Sequence, residues 1–174
     1  VASVKSLLDL STIVAILLAV YSDIAARTIP NSISIIVALI GLVIRTAAGP
    51  EALLASAIAA AVLFLFLALL HARGLLGGGD VKLMTAIAIG LSVPAIGQFL
   101  IVTMMAGGVL ALLYLILRWT LGKRLPSAPP ARGTSLWHRI LAAEHWRIAR
   151  HGSLPYGVAI ACGGIWVIAQ AFGH

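Results

Sequence analysis

The chain has 174 residues, 61% of them hydrophobic and 10% charged, against about 25% charged in an average soluble domain. Twelve Lys and Arg face five Asp and Glu, a formal charge of +7. These figures exclude an ordinary water-soluble globule, and with no long polar face they also exclude a nucleic-acid-binding footprint. They predict an all-α integral membrane protein, one membrane-embedded domain over residues 1–174. A secretory signal peptide would account for the run at 7–20 alone, and several apolar runs follow it. Cys162 is the single cysteine, which excludes an internal disulfide and a cysteine-based metal cluster.

In chain order, the first apolar run, 10–21, extends to about residue 26 and closes at Arg27. Pro30 pushes Ile29 out of the helical region, so 28–31 reads as a turn, with Asn31 or Ser32 able to cap the next helix. The second span is 32–48, with Arg45 near its far end; Gly49-Pro50-Glu51 is the next turn; the third span, 52–70, carries no charge. Four glycines in the six residues 74–79 would each cost a helix interior about 1 kcal/mol relative to alanine. That segment therefore reads as a loop or a tight non-helical approach. A short fourth helix is predicted over 81–91 or 92, and a fifth over 95–117, punctuated by Pro94.

Residues 118–152 form the one polar region, with seven Lys or Arg and a single acid, Glu144. Its second half, 135–150, has Leu, Ile, Trp and Arg at helical spacing, which predicts an interfacial helix at the lipid headgroups in a basic cytoplasmic loop. A sixth uncharged span, 153–172, follows, with Pro155 near its start. With six transmembrane helices and both termini outside the cytoplasm, ten basic residues fall on the cytoplasmic side and only Lys5 and Arg45 outside. The positive-inside bias selects this orientation.

The same topology brings two acids to the cytoplasmic leaflet: Asp23, one turn before Arg27, and Asp80, just after the glycine run. Two readings of them stand side by side. In one, Asp23 pairs with Arg27 four residues on, and Asp80 caps the fourth helix and neutralises Lys82. In the other they are functional groups facing protein or water, since a carboxylate is costly in or beside hydrocarbon. Two carboxylates held together in a poorly solvated place share a proton. Such a pair can take a proton from water while giving one to a carbonyl oxygen.

Three segments carry a resemblance. Gly77-Gly78-Gly79-Asp80-Val81-Lys82-Leu83 resembles the GxGD motif of membrane aspartic peptidases, in the form followed by x-Lys-Leu that prepilin peptidases show. Asp23 with Arg27, Ile29, Pro30 and Asn31 resembles the first catalytic segment of that family, and Pro155-Tyr156-Gly157 resembles its last-helix motif. The chain is thus similar to the type IV prepilin peptidase family, in the small form that accompanies Flp or Tad pili and lacks the methyltransferase domain. The resemblance implies an aspartic endopeptidase of the bacterial inner membrane, with the GxGD peptidase fold. It would cleave a short basic leader from a type IV prepilin at the cytoplasmic face.

Under the resemblance Asp23 and Asp80 are the catalytic pair. Gly77, Gly78, Gly79, Lys82, Arg27, Pro30, Asn31, Pro155, Tyr156 and Gly157 are the motif and site-shaping residues. Lys82 either orients Asp80 or anchors to phosphate headgroups; Arg27 is expected to fix the end of the first helix. An added Cβ at Gly79 is expected to clash with substrate or displace Asp80, whereas alanine at Gly74 is expected to be mild. No cofactor and no metal are assigned, because the five histidines lack ligand spacing. The expected partners are a prepilin and anionic membrane lipids, which would recruit both a basic leader and a basic protein face, with no nucleic acid. The alternatives are another GxGD-type membrane protease and a non-enzymatic membrane assembly or transport subunit.

Overall fold

A computed structural model describes residues 2–121 and 154–172. Six helices occur among the described residues: α1 (Ala2–Ala26), α2 (Asn31–Ala47), α3 (Pro50–Ala72), α4 (Gly78–Gly90), α5 (Val93–Leu121) and α6 (Tyr156–Phe172). Three of them are long and apolar enough to cross a membrane, over Val4–Ala26, Pro50–Ala72 and Val93–Thr120. The surface supports the same environment. Leu65 and Val109 are each 68% exposed while Ile16 and Phe99 are fully buried, so large apolar side chains cover the outside as well as the core.

Proline and the backbone set the helix boundaries. Pro30 precedes α2 with φ −59° and ψ 137°. Pro50 opens α3, where its missing N–H costs nothing. The α1 helix ends at Arg27, in the left-handed region at φ 54°, with its N–H donated to the Asp23 carbonyl at 2.8 Å.

Several boundaries differ from the sequence expectation. The fourth helix begins at Gly78 rather than 81, so Gly79 and Asp80 lie in its first turn. Helix propensity weighs against glycine mainly in an interior; here a Cβ on Gly78 would stand 3.3 Å from the His71 ring and one on Gly79 3.2 Å from Ile29. The close approach of α3 and of the α1–α2 turn favours glycine over a better helix former. Neither Asn31 nor Ser32 caps α2: Pro30 occupies the cap position with no side-chain bond, and Asn31 is the first helical residue. Nor does Pro94 break the helix before 95, because it falls in the first turn of α5, where proline is tolerated. That helix also runs on to Leu121, past the start of the predicted polar loop at 118. The interfacial helix expected at 135–150 lies outside the described residues.

The helices alternate in direction. Lys82 meets Asn31 at the start of α4 and α2, and Gly90 meets Gly41 near their far ends, so these two helices run parallel. Ser56 Oγ, near the start of α3, donates to the Leu91 carbonyl after the end of α4 at 2.8 Å. One end of the bundle thus gathers Asp23, Asn31, His71, Asp80 and the start of α6; the other holds Asp9, Arg45 and Leu91. Between them Ile16 of α1 and Ile87 of α4 close on Gly164 of α6, within 3.1 and 3.3 Å of where its Cβ would stand.

The α2–α4 crossing yields an expected result. A Cβ on Gly41 would lie 2.7 Å from the Gly90 nitrogen and 2.8 Å from its Cα, and backbone cannot step aside as a flexible side chain can. Gly41→Ala should therefore cost about 1–3 kcal/mol of stability through overpacking. Thermal unfolding in detergent checks it against Gly97→Ala, where a Cβ would meet nothing within 4 Å.

Candidate active site

The two acids come from different helices and are held by different backbone donors. Asp23, in the last turn of α1, is 7% exposed. Its Oδ2 accepts the backbone N–H of Gly157 at 2.9 Å, across 134 residues of sequence. Gly157 is the second residue of α6, where backbone N–H groups have no partner within the helix and the helix dipole favours negative charge. Pro155 is buried just ahead of it, and Tyr156 packs its ring over α5, 2.9 Å from where a Gly107 Cβ would be. The predicted last-helix motif therefore delivers a main-chain donor to Asp23. Sequence reasoning gives this segment only a motif and site-shaping role, since a backbone N–H leaves no mark in composition.

Asp80 occupies the third position of α4 behind the cap residue Gly77. It lies outside the three helices long enough to span. Burial pushes its carboxyl up to about 6, the charge of nearby Asp23 adds to the rise, and the Gly77 backbone N–H opposes it. Asp80 thus keeps its proton in a range in which an isolated carboxyl would be ionised.

The glycines do not all act as expected. A Cβ on Gly77 would come within 2.6 Å of Asp80 Oδ2, whereas one on Gly79 meets Ile29 instead. The residue that touches the carboxylate is Gly77, because α4 starts at Gly78 and its first turn folds the Asp80 side chain back over the cap. Gly79 rests on Ile29, which joins the α1–α2 turn to α4 and so draws the two acid-bearing segments together. Gly74 has φ +72°, a conformation that costs an L-residue roughly 1–2 kcal/mol, so alanine there carries a stability cost although its Cβ would meet nothing within 4 Å.

Lys82 does not bond Asp80; its Nζ donates to Asn31 Oδ1 at 3.0 Å and ties the exposed starts of α4 and α2 together. Asp80 instead reaches back to the backbone N–H of the cap residue Gly77. Arg27 and Pro30 lie in the connection between α1 and α2, which Ser22 Oγ braces by donating to the Thr28 carbonyl at 2.7 Å. Sequence reasoning weighs His71 only as a metal ligand, yet it borders Gly78. Among the described residues no three His, Cys, Asp or Glu side chains converge as a metal site would require. Asp9 is buried at the other end of α1, paired with Lys5 Nζ at 2.9 Å.

Residues 10–114 match the family described as the Type IV leader peptidase family. That stretch is well over half of the chain and contains both acids and the glycine run. The chain belongs to the type IV leader peptidase family. It is therefore a hydrolytic enzyme, a prepilin-cleaving aspartic peptidase with a multi-pass helical membrane body. No curated protein and no solved structure matches the chain. The chain places two carboxylates at one end of its bundle, Asp23 buried on the Gly157 N–H at the start of α6 and Asp80 with its carboxyl raised to about 6.

Proposed function

We propose that Asp23 and Asp80 are the catalytic pair of this peptidase, and that it removes the short basic leader of an Flp-type prepilin at the cytoplasmic face of a bacterial inner membrane. The observation that carries the reading is the pairing of a buried Asp23 on the Gly157 N–H with a neighbouring Asp80 raised to about 6. Asp23, held by the start of α6, is the ionised member and acts as general base; protonated Asp80 is the general acid. Asp23 takes one proton from water as its oxygen bonds to the scissile carbonyl carbon, and Asp80 gives its proton to the carbonyl oxygen. Collapse of the tetrahedral diol returns a proton to Asp80. The proton on Asp23 passes to the departing nitrogen as the C–N bond breaks, leaving both acids as they began.

The alternation of the helices supports six crossings with Arg27, Arg73 and Lys82 at the catalytic end and Lys5 and Arg45 at the other, an orientation that the positive-inside rule puts with the site toward the cytoplasm. Anionic lipid, worth about 1 kcal/mol per basic residue near the surface, draws in both the basic leader and the basic face of the enzyme. Gly77 leaves room for the Asp80 carboxylate, and Gly78 and Gly79 let the start of α4 close on His71 and Ile29, so that the acid is held beside Asp23.

The test is cleavage of an Flp-type prepilin by the full chain in detergent, followed by N-terminal sequencing of the product across a pH series. Leader removal is expected, with kcat/KM falling about tenfold per pH unit on the alkaline side of about 6 as Asp80 loses its proton. An intact prepilin overturns the substrate assignment; a rate that stays flat from pH 5 to 9 (~4 units) overturns the assignment of Asp80 as the acid.

A further inference from the structure

His71 stands in the last turn of α3, where the chain leaves for the glycine run. Its Nδ1 is 2.8 Å from the Leu76 carbonyl oxygen. A carbonyl can only accept, so Nδ1 carries the proton and donates it. The far side of the ring lies along Gly78, whose Cβ would stand 3.3 Å from Cε1 and 3.4 Å from Nε2. The imidazole therefore touches the segment on both sides of Gly77.

The Leu76 carbonyl and the Gly77 N–H are the two ends of one peptide unit, and that unit is planar. Fixing the direction of one end fixes the other. Gly77 is the cap residue of α4 and Asp80 is three positions on, with Oδ2 folded back to within 2.6 Å of where a Gly77 Cβ would be. This is the half of a capping box in which an acid at the third position reaches the cap residue's own N–H. A hydrogen bond to the carbonyl also polarises the N–H at the other end and strengthens it as a donor.

We propose that His71 is a positioning residue for Asp80, holding the Leu76 end of the Leu76–Gly77 peptide so that the Gly77 end faces the carboxylate. It acts through the backbone and does not touch substrate. The end of α3 does not depend on the ring: Gly74 N–H donates to the His71 carbonyl at 2.8 Å and Leu75 N–H to the Leu70 carbonyl at 3.0 Å, both main-chain bonds that any residue at 71 can make. The proposal rests on the reading of Asp80 as catalytic.

The experiment compares His71→Ala, His71→Asn and His71→Gln in the full-length enzyme, with Asp80→Asn beside them, for kcat and KM on one prepilin and for thermal stability. Asparagine puts an amide N–H about where Nδ1–H was, and glutamine puts one about where Nε2 was. A carboxylate released by less than about 1 Å should cost about tenfold in kcat. That loss is expected in the alanine and glutamine variants with KM within about twofold, and the asparagine variant should return to within about threefold of the parent. Parental kcat in the alanine variant, a loss confined to KM, or asparagine no better than glutamine overturns the proposal. If the alanine variant fails to accumulate, the asparagine–glutamine comparison decides alone. An inert Asp80→Asn beside a normal His71→Ala sinks the role of His71 only; a fully active Asp80→Asn sinks the acid pair as well.

Discussion

Asp23→Asn and Asp80→Asn should each lose activity by a factor of about 10²–10⁴, the usual contribution of a positioned general acid or base, while remaining folded in the membrane. An amide can neither take the proton of water nor deliver one to a carbonyl oxygen, so each substitution removes half of the exchange. Shape is preserved: in Asp23→Asn the side-chain amide still offers an oxygen to the Gly157 N–H, which the Asp23 carboxylate accepts at 2.9 Å. The other acids are the controls. Glu51 is exposed at the start of α3, and Asp9 lies fourteen residues before Asp23 on α1, about 21 Å along the helix at 1.5 Å per residue. Glu51→Gln and Asp9→Asn should keep most of the rate per folded molecule. Appreciable turnover by the purified Asp23 or Asp80 variant would remove the pair from the mechanism.

The second large effect is expected from a single methyl group at Gly157. Its Cβ would lie 2.8 Å from Asp23 Oδ2, 3.1 Å from its Cβ and 3.2 Å from its Cγ. Rotating the side chain away can relieve the contacts with Oδ2 and Cγ only by taking the carboxylate off the Gly157 N–H; the Asp23 Cβ is anchored to α1, so α1 and α6 must also part. A shift of about 1 Å at a reacting group can cost about 100-fold, and the Asp23 carboxylate would lose its Gly157 donor in a buried place. Gly157→Ala should therefore lower kcat about 100-fold, whereas Gly108→Ala, with nothing within 4 Å of its added Cβ, should be near normal. Equal rates for the two would show that the α6 N-terminus does not set the position of Asp23.

The helices are legible in the sequence because apolar runs and prolines both act locally: Pro30, Pro50 and Pro155 each stand at or just before a helix start. The two acids are legible because a carboxylate at the edge of hydrocarbon is conspicuous. What escapes is whatever depends on the phase of one helix against another. Placing the start of α4 at 81 puts Asp80 outside the helix, and then Gly79, its sequence neighbour, is the natural residue to crowd it. Starting the helix at Gly78 turns Asp80 back over Gly77 and turns Gly79 toward Ile29. Lys82 pairs on paper with the acid two residues away, but in the helix it faces Asn31 of α2. The Gly157 donor is invisible for a plainer reason, since every residue but proline has a backbone N–H and only the fold says where it points.

The bond from Gly157 to Asp23 also sets a schedule for synthesis. Asp23 leaves the ribosome early, yet its backbone partner follows 134 residues later, and the last helix must be inserted before the first acquires its hydrogen bond. At about 5–20 residues per second, the nascent chain spends roughly 7 to 27 seconds with one acid made and its donor absent. Until α6 arrives, the Asp23 carboxylate lacks the Gly157 N–H that holds it in the folded bundle. If Asp23 is catalytic as proposed, the arrival of α6 does for this protease what the removal of an inhibitory segment does for a zymogen: the acid gains its place only once the bundle around it is closed.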